Sequence, residues 1–127
     1  METARLVTLN DLPIDRPMPL IERQRIIGEQ MMVSKVRLSK GFHLASHQHT
    51  NEQFVVMLKG HCTFGIGAKG SADYRELEVR GGQTLVLPSN VPHSCTAHEE
   101  TEILDLFSPV SQTTGVDQGG GSASAHA

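Results

Sequence analysis

Helix-period patterns are scarce in this chain. Short apolar runs follow one another instead, each bounded by Gly, Pro or Asn. That punctuation indicates an all-β protein. Strands are expected over residues 6–9, 31–38, 42–47, 53–58, 61–66, 74–79, 84–87, 93–97 and 102–107. Residues 67–73 read as a loop, Gly81-Gly82 as a tight turn, and residues 13–19 as irregular chain. Residues 21–27 read as a short helical turn. At 127 residues the chain is large enough for one domain with a real core.

The composition changes after Pro109. Residues 111–127 contain Gly119-Gly120-Gly121-Ser122 and almost nothing apolar, too little to offset the entropy of ordering. We therefore expect one domain over residues 1–110, including an N-terminal strand extension, and a disordered tail over 111–127 that leaves His126 outside any site. The net charge is only −3, with acids and bases interspersed, which argues against nucleic-acid or membrane-surface partners. No apolar stretch reaches the roughly 18 residues of a membrane span. The first five residues lack the apolar region of a signal peptide. Two cysteines, Cys62 and Cys95, do not make a disulfide framework. A cytoplasmic protein with reduced thiols is expected.

Chemistry concentrates in two segments. The first runs from Gly41 through His47-Gln48-His49-Thr50-Asn51-Glu52-Gln53 to Gly60. His47 and His49 lie one residue apart, so on a strand they share a face. Gln53 has the parity of Val55 and Met57, which are expected to face the interior. Phe54, Val56 and Leu58, on the other face, are apolar too. Burial on both faces implies that a further sheet layer or a second subunit covers the outer one. The second segment reads Gly82-Gln83-Thr84-Leu85-Val86-Leu87-Pro88-Ser89-Asn90-Val91-Pro92-His93.

Together the segments resemble the paired motifs of the cupin superfamily. Gly41, His47, His49 and Gly60 fit the first motif, with Gln53 where the family has Glu. Gly82, Pro88 and His93 fit the second. Asn90 stands in place of a Gly, a mild departure because Asn also tolerates φ > 0, and Ala97 in place of an Asn. The resemblance implies a double-stranded β-helix, or jelly-roll, barrel that commonly dimerises. His47, His49 and His93 with the Gln53 amide oxygen then make a ligand set with open positions, as catalytic metal sites have. One divalent transition metal is expected, with Zn, Ni, Fe and Mn all open. A neutral Gln leaves the metal's double charge intact, favouring polarisation of an oxygen over oxygen activation. The competing assignment makes Glu52 the ligand through a one-residue slip. His43, His61 and His98 are expected to be exposed or structural, and Cys62 to be packing.

The stretch Asp105-Leu106-Phe107-Ser108-Pro109, after Asn90-Val91-Pro92-His93, is similar to the pectin-degradation KdgF cupins. That resemblance implies action on unsaturated uronates, a three-His and one-Gln metal site, and Asp105 and Phe107 beside it. Where that family carries an Arg shortly after Ser-Pro, this chain has Ser111. Hydroxynitrile-lyase cupins resemble the same ligand set. Asp105, flanked by apolar residues, reads as a general acid or base or as a structural carboxylate. Phe107, Cys95 and Met57 are expected to line the substrate pocket. The favoured reading is a metal-dependent lyase or isomerase acting on a small polar carbonyl or sugar-acid compound. An iron- or nickel-dependent dioxygenase and a non-catalytic metal or small-molecule binding module are the alternatives.

Overall fold

The computed structural model describes residues 3–110 and the backbone of 125–126. A 3-10 turn at Leu9–Asp11 precedes ten strands. These are β1 (Ile21–Ile27), β2 (Met32–Leu38), β3 (His43–His49), β4 (Glu52–Lys59), β5 (His61–Ile66), β6 (Arg75–Arg80), β7 (Thr84–Leu87), β8 (His93–Ala97), β9 (Thr101–Ser108) and β10 (Ala125–His126). They form two five-stranded sheets, ordered β1-β2-β9-β4-β7 and β10-β3-β8-β5-β6. Pairing is antiparallel except between β10 and β3. This is the expected all-β jelly roll. The expectation of a disordered tail otherwise lies outside the described residues.

The inner faces of both sheets supply one core. Val55 and Met57 on β4, Val36 and Leu38 on β2, Cys62 and Phe64 on β5, and Ile103 on β9 are all buried. Each aliphatic side chain so buried contributes about 1.5–3 kcal/mol. The alternation along β4 is as expected on its inner face. On its outer face Phe54 and Leu58 are exposed, as is Val86 of β7. Among the described residues, no further sheet layer covers that side.

Two sequence expectations need correction. Residues 21–27 form strand β1, not a helical turn, and pair with β2 over their whole length. Their inward face carries Ile21, Arg23 and Arg25, so charged side chains mask the apolar alternation that marks a strand. Residues 6–9 form no strand; Leu6 is fully exposed and the chain turns at Leu9–Asp11. The Gln24 amide, donating to the carbonyls of Asn10 and Leu12, holds that turn against β1 instead.

Gly60 shows why the first motif ends on glycine. Its φ is +105°, and a Cβ there would sit 2.7 Å from Thr101 Cα. Both the conformation and the close approach exclude a side chain. Asn90 takes φ +64°, as its place in the second motif anticipates. Its backbone N–H donates to the His49 carbonyl at 2.8 Å, which fastens the two motifs together.

Candidate metal centre

β3 brings two histidines to the barrel interior, but plain alternation would not place them there. Leu44 and His47 have opposite parity, yet both are buried. A register shift between them, where β3 pairs with β8, reverses the facing. His47 then lies opposite His93 of β8, and His49 follows on the same face. All three are 5% exposed or less.

Each ring is oriented by the backbone. His47 Nδ1 donates to the Ala45 carbonyl at 3.1 Å, His49 Nδ1 to Asn51 at 3.1 Å, and His93 Nδ1 to Val91 at 2.9 Å. A carbonyl only accepts, so Nδ1 carries the proton and a neutral ring presents an Nε2 lone pair. The ring centroids lie 4.4 Å (His47–His93), 5.1 Å (His49–His93) and 5.7 Å (His47–His49) apart. One nitrogen from each falls within 4.8 Å of the others. Burial, with the charges of the neighbouring rings, pushes the His93 pKa down to about 3, although its bond to Val91 works the other way. His93 is therefore neutral, the form that binds metals.

Gln53 lies on the inner face of β4 and Glu52 on the exposed outer face. The Gln53 Oε1 lies 3.1 Å from His49 Nε2, and its Nε2 donates to Asp105 Oδ1 at 2.9 Å. With Nδ1 of His49 protonated, the first contact sets two lone-pair atoms against each other. A cation shared between them relieves that repulsion. His93 Nε2, buried with no hydrogen-bond partner among the described residues, is a further donor with nothing to bind. The donor set therefore fits a metal ion.

The remaining expected residues separate. Asp105 and Phe107 of β9 and Cys95 of β8 line a cavity of about 60 Å³ beside the histidines. Phe107 meets the His49 ring edge-on at 5.9 Å. Met57 is not among the lining residues; it is buried in the core. Burial raises the Asp105 pKa to about 7, against the opposing bond from Gln53 and the charge of Arg23. The Cys95 thiol is pushed up by its contact with Cys62 and by burial, so it is a packing group rather than a nucleophile.

Sequence reasoning missed Arg23, Arg25 and Ser34, which line the same cavity. Reading 21–27 as a strand would have found the arginines by parity. It also missed Asn51, fully buried, whose carbonyl orients His49 and whose amide donates to the Pro109 carbonyl. His61 and His98, expected to be exposed or structural, form a cluster with Glu78 on the outer surface. Among the described residues, no helix is long and apolar enough to cross a membrane.

Comparison with known proteins agrees with this fold. The fold is similar to KdgF from Halomonas sp., with a TM-score of 0.70 at 22% identity, covering 80% of this chain and 92% of that one. An RmlC-like cupin from Shewanella frigidimarina matches with a TM-score of 0.76 at 18% identity, over 87% and 95%. Oxalate decarboxylase from Bacillus subtilis, whose Mn(II) centres have been characterised, matches with 0.74 at 20%. That alignment covers 89% of this chain but only 32% of the decarboxylase. No curated protein matches the sequence. The cupin domain model matches residues 34–107, which include every histidine of the buried cluster, and the chain thus belongs to the cupin domain family.

Proposed function

We propose that this cupin holds one divalent transition metal on His47, His49, His93 and Gln53. We further propose that it acts as a lyase or isomerase on a small polar carbonyl or sugar-acid compound. The observation that carries this reading is the continuous chain from His49 through Gln53 to Asp105. It couples a ligand-type donor set to a buried carboxylate across one side-chain amide. The bound metal, whether Zn, Ni, Fe or Mn, supplies Lewis acidity toward a substrate oxygen.

Asp105 is the group that moves the proton. It accepts one from an enol hydroxyl and returns one to the neighbouring carbon, so the substrate is isomerised with no net change of atoms. Gln53 holds Oδ1 of that carboxylate in place. Phe107, packed against His49, excludes water from the inner side. The resemblance of Asn90-Val91-Pro92-His93 and Asp105-Leu106-Phe107-Ser108-Pro109 to the KdgF cupins supports a sugar acid as the substrate class.

Unsaturated uronates are the first substrates to assay. Wild type should turn over, and Asp105→Asn should keep metal and fold while losing roughly 10²–10⁴ in rate. Full activity in that variant would reduce Asp105 to a structural carboxylate. Oxygen uptake during turnover would favour a dioxygenase, and metal binding without turnover a binding module.

A homodimer belongs to the same reading. Phe54 lies opposite Val86 and Leu106, and Val56 opposite Leu104, so one apolar face runs across β7, β4 and β9. A second copy of this chain is its proposed cover. Light scattering that shows a monomer at micromolar concentration would overturn the dimer. Both cysteines are free thiols, in keeping with a reducing, cytoplasmic setting.

A further inference from the structure

The cavity beside the histidines has a polar wall made by strands the family motifs do not include. Arg25 of β1 lies opposite Ser34 of β2, and Ser34 opposite Asp105 of β9. The three therefore form one row across adjacent strands, and all three line the cavity. Arg23, two residues away on the same face, lines it as well.

Each member of the row has a distinct state. Arg23 is 6% exposed, and its Nε and Nη2 donate to the two oxygens of Asp15 at 2.9 and 3.0 Å. Arg25 Nη2 donates to the same carboxylate at 3.0 Å. One acid thus fixes the position of two guanidiniums. Ser34 is 2% exposed, and its Oγ has no hydrogen-bond partner among the described residues. Leaving a buried hydroxyl unpaired is costly, so a group that enters the cavity and bonds it is favoured. Asp105, the acid of the row, is held by Gln53 on the side facing the histidines.

Two cations of fixed position beside an orphaned hydroxyl form a receptor for a planar anion. Guanidiniums bind carboxylates through paired N–H donors, and a hydroxyl adds a third bond. The cavity, about 60 Å³, admits a small head group rather than a whole sugar. We infer that Arg25 and Ser34, flanked by Arg23, bind the carboxylate of the substrate and set its distance from the histidine cluster. The inference rests on reading this cavity as the substrate site. It also supplies, from the opposite end of the chain, the cation that Ser111 does not.

Lactate and lactamide test it, because the two are nearly isosteric and differ by one charge. Their dissociation constants would be measured by titration against the metal-loaded protein and against its Arg25→Gln and Ser34→Ala variants. Metal content would be measured in each. The wild type should prefer lactate by roughly tenfold, the size of one charge-assisted hydrogen bond. Arg25→Gln should abolish the preference with metal content unchanged, and Ser34→Ala should weaken lactate by a few-fold. Arg25→Lys, which keeps the charge but not the fork, should fall between wild type and Arg25→Gln. It serves in place of Arg25→Gln if that variant does not fold. A wild type with no preference, or an Arg25→Gln protein that keeps it, would overturn the assignment. An Arg25-dependent preference in a protein that turns over no uronate would leave this wall standing and remove the uronate as substrate instead.

Discussion

Two clusters of histidines can be compared directly in this molecule. One lies inside the barrel, from His47, His49 and His93. The other lies outside, from His61, His98 and Glu78. Both offer metal-ligating atoms at short range. They differ in where the hydrogen bonds go. Outside, the side chains bond one another. His61 Nε2 lies 2.6 Å from a Glu78 oxygen, and Thr63 Oγ1 bonds both Glu78 and His98 Nε2. Inside, the backbone takes the Nδ1 proton of every ring and turns the other nitrogens inward. The exposed cluster satisfies itself and has water around it. The buried one aims its donors at a common point. Proximity of ligand types alone says little; the direction of the second nitrogen decides.

The contrast is sharpest at His93. His93→Ala should lower bound metal to about a tenth of wild type or less, because removing a ligand costs more than the 10–100-fold of removing a ligand's partner. Metal analysis of purified protein checks this, and equal metal in wild type and variant would break the contrast. Gln53→Glu comes next. A carboxylate added to the donor set should tighten divalent-metal binding by roughly tenfold and weaken its Lewis acidity. It also removes the amide that donates to Asp105, so turnover should fall while metal rises. If Glu52→Ala lost the metal and Gln53→Ala kept it, the inner donor set would be wrong by one residue.

Asp15→Asn has a smaller effect, on stability rather than metal. Burial alone would raise the Asp15 pKa, but bonds and charges from Arg23 and Arg25 outweigh it and hold the pKa below 3.8. A depressed carboxylate contributes stability that is fully present above its unfolded pKa and is lost as pH falls through the folded one. Asp15 is 42% exposed, so the contribution is discounted to about 1 kcal/mol at most. Urea unfolding of wild type and variant should differ at pH 7, and the difference should shrink below about pH 4. A constant difference across that range would place the effect elsewhere. The smallest effect is expected outside the barrel. His98→Ala and Glu78→Gln should leave metal content and melting temperature unchanged, since exposed pairs are screened by water. Loss of one metal equivalent in either would make the outer cluster a site too.

What could be read from the sequence follows from local rules. The strands with alternating apolar residues, such as β4 and β5, declared themselves through period two. Gln53 and Asp105 were placed on the inner face by the parity of Val55 and Phe107. β1 did not declare itself, because its inward positions are Arg23 and Arg25 and only the folded sheet explains why charges belong there. The anchoring of each imidazole was equally hidden. It depends on the carbonyls of Ala45, Asn51 and Val91, and a backbone carbonyl has no letter in a sequence. The Ser34 hydroxyl looked like any strand serine until its neighbours on β1 and β9 were known.

The register shift between Leu44 and His47 has a consequence for how such a centre can be lost. Substitution removes one donor at a time and leaves the rest in place. Deleting a single residue, Ala45 or Ser46, would restore plain alternation. Leu44 and His47 would then share a parity, so both histidines would still face inward; the bulge is what accommodates the extra residue. The centre would instead go silent if the bulge were smoothed out at unchanged length, which would turn both His47 and His49 to solvent with every ligand letter still present. The bulge between Leu44 and His47 is thus as much a part of the donor set as the histidines themselves.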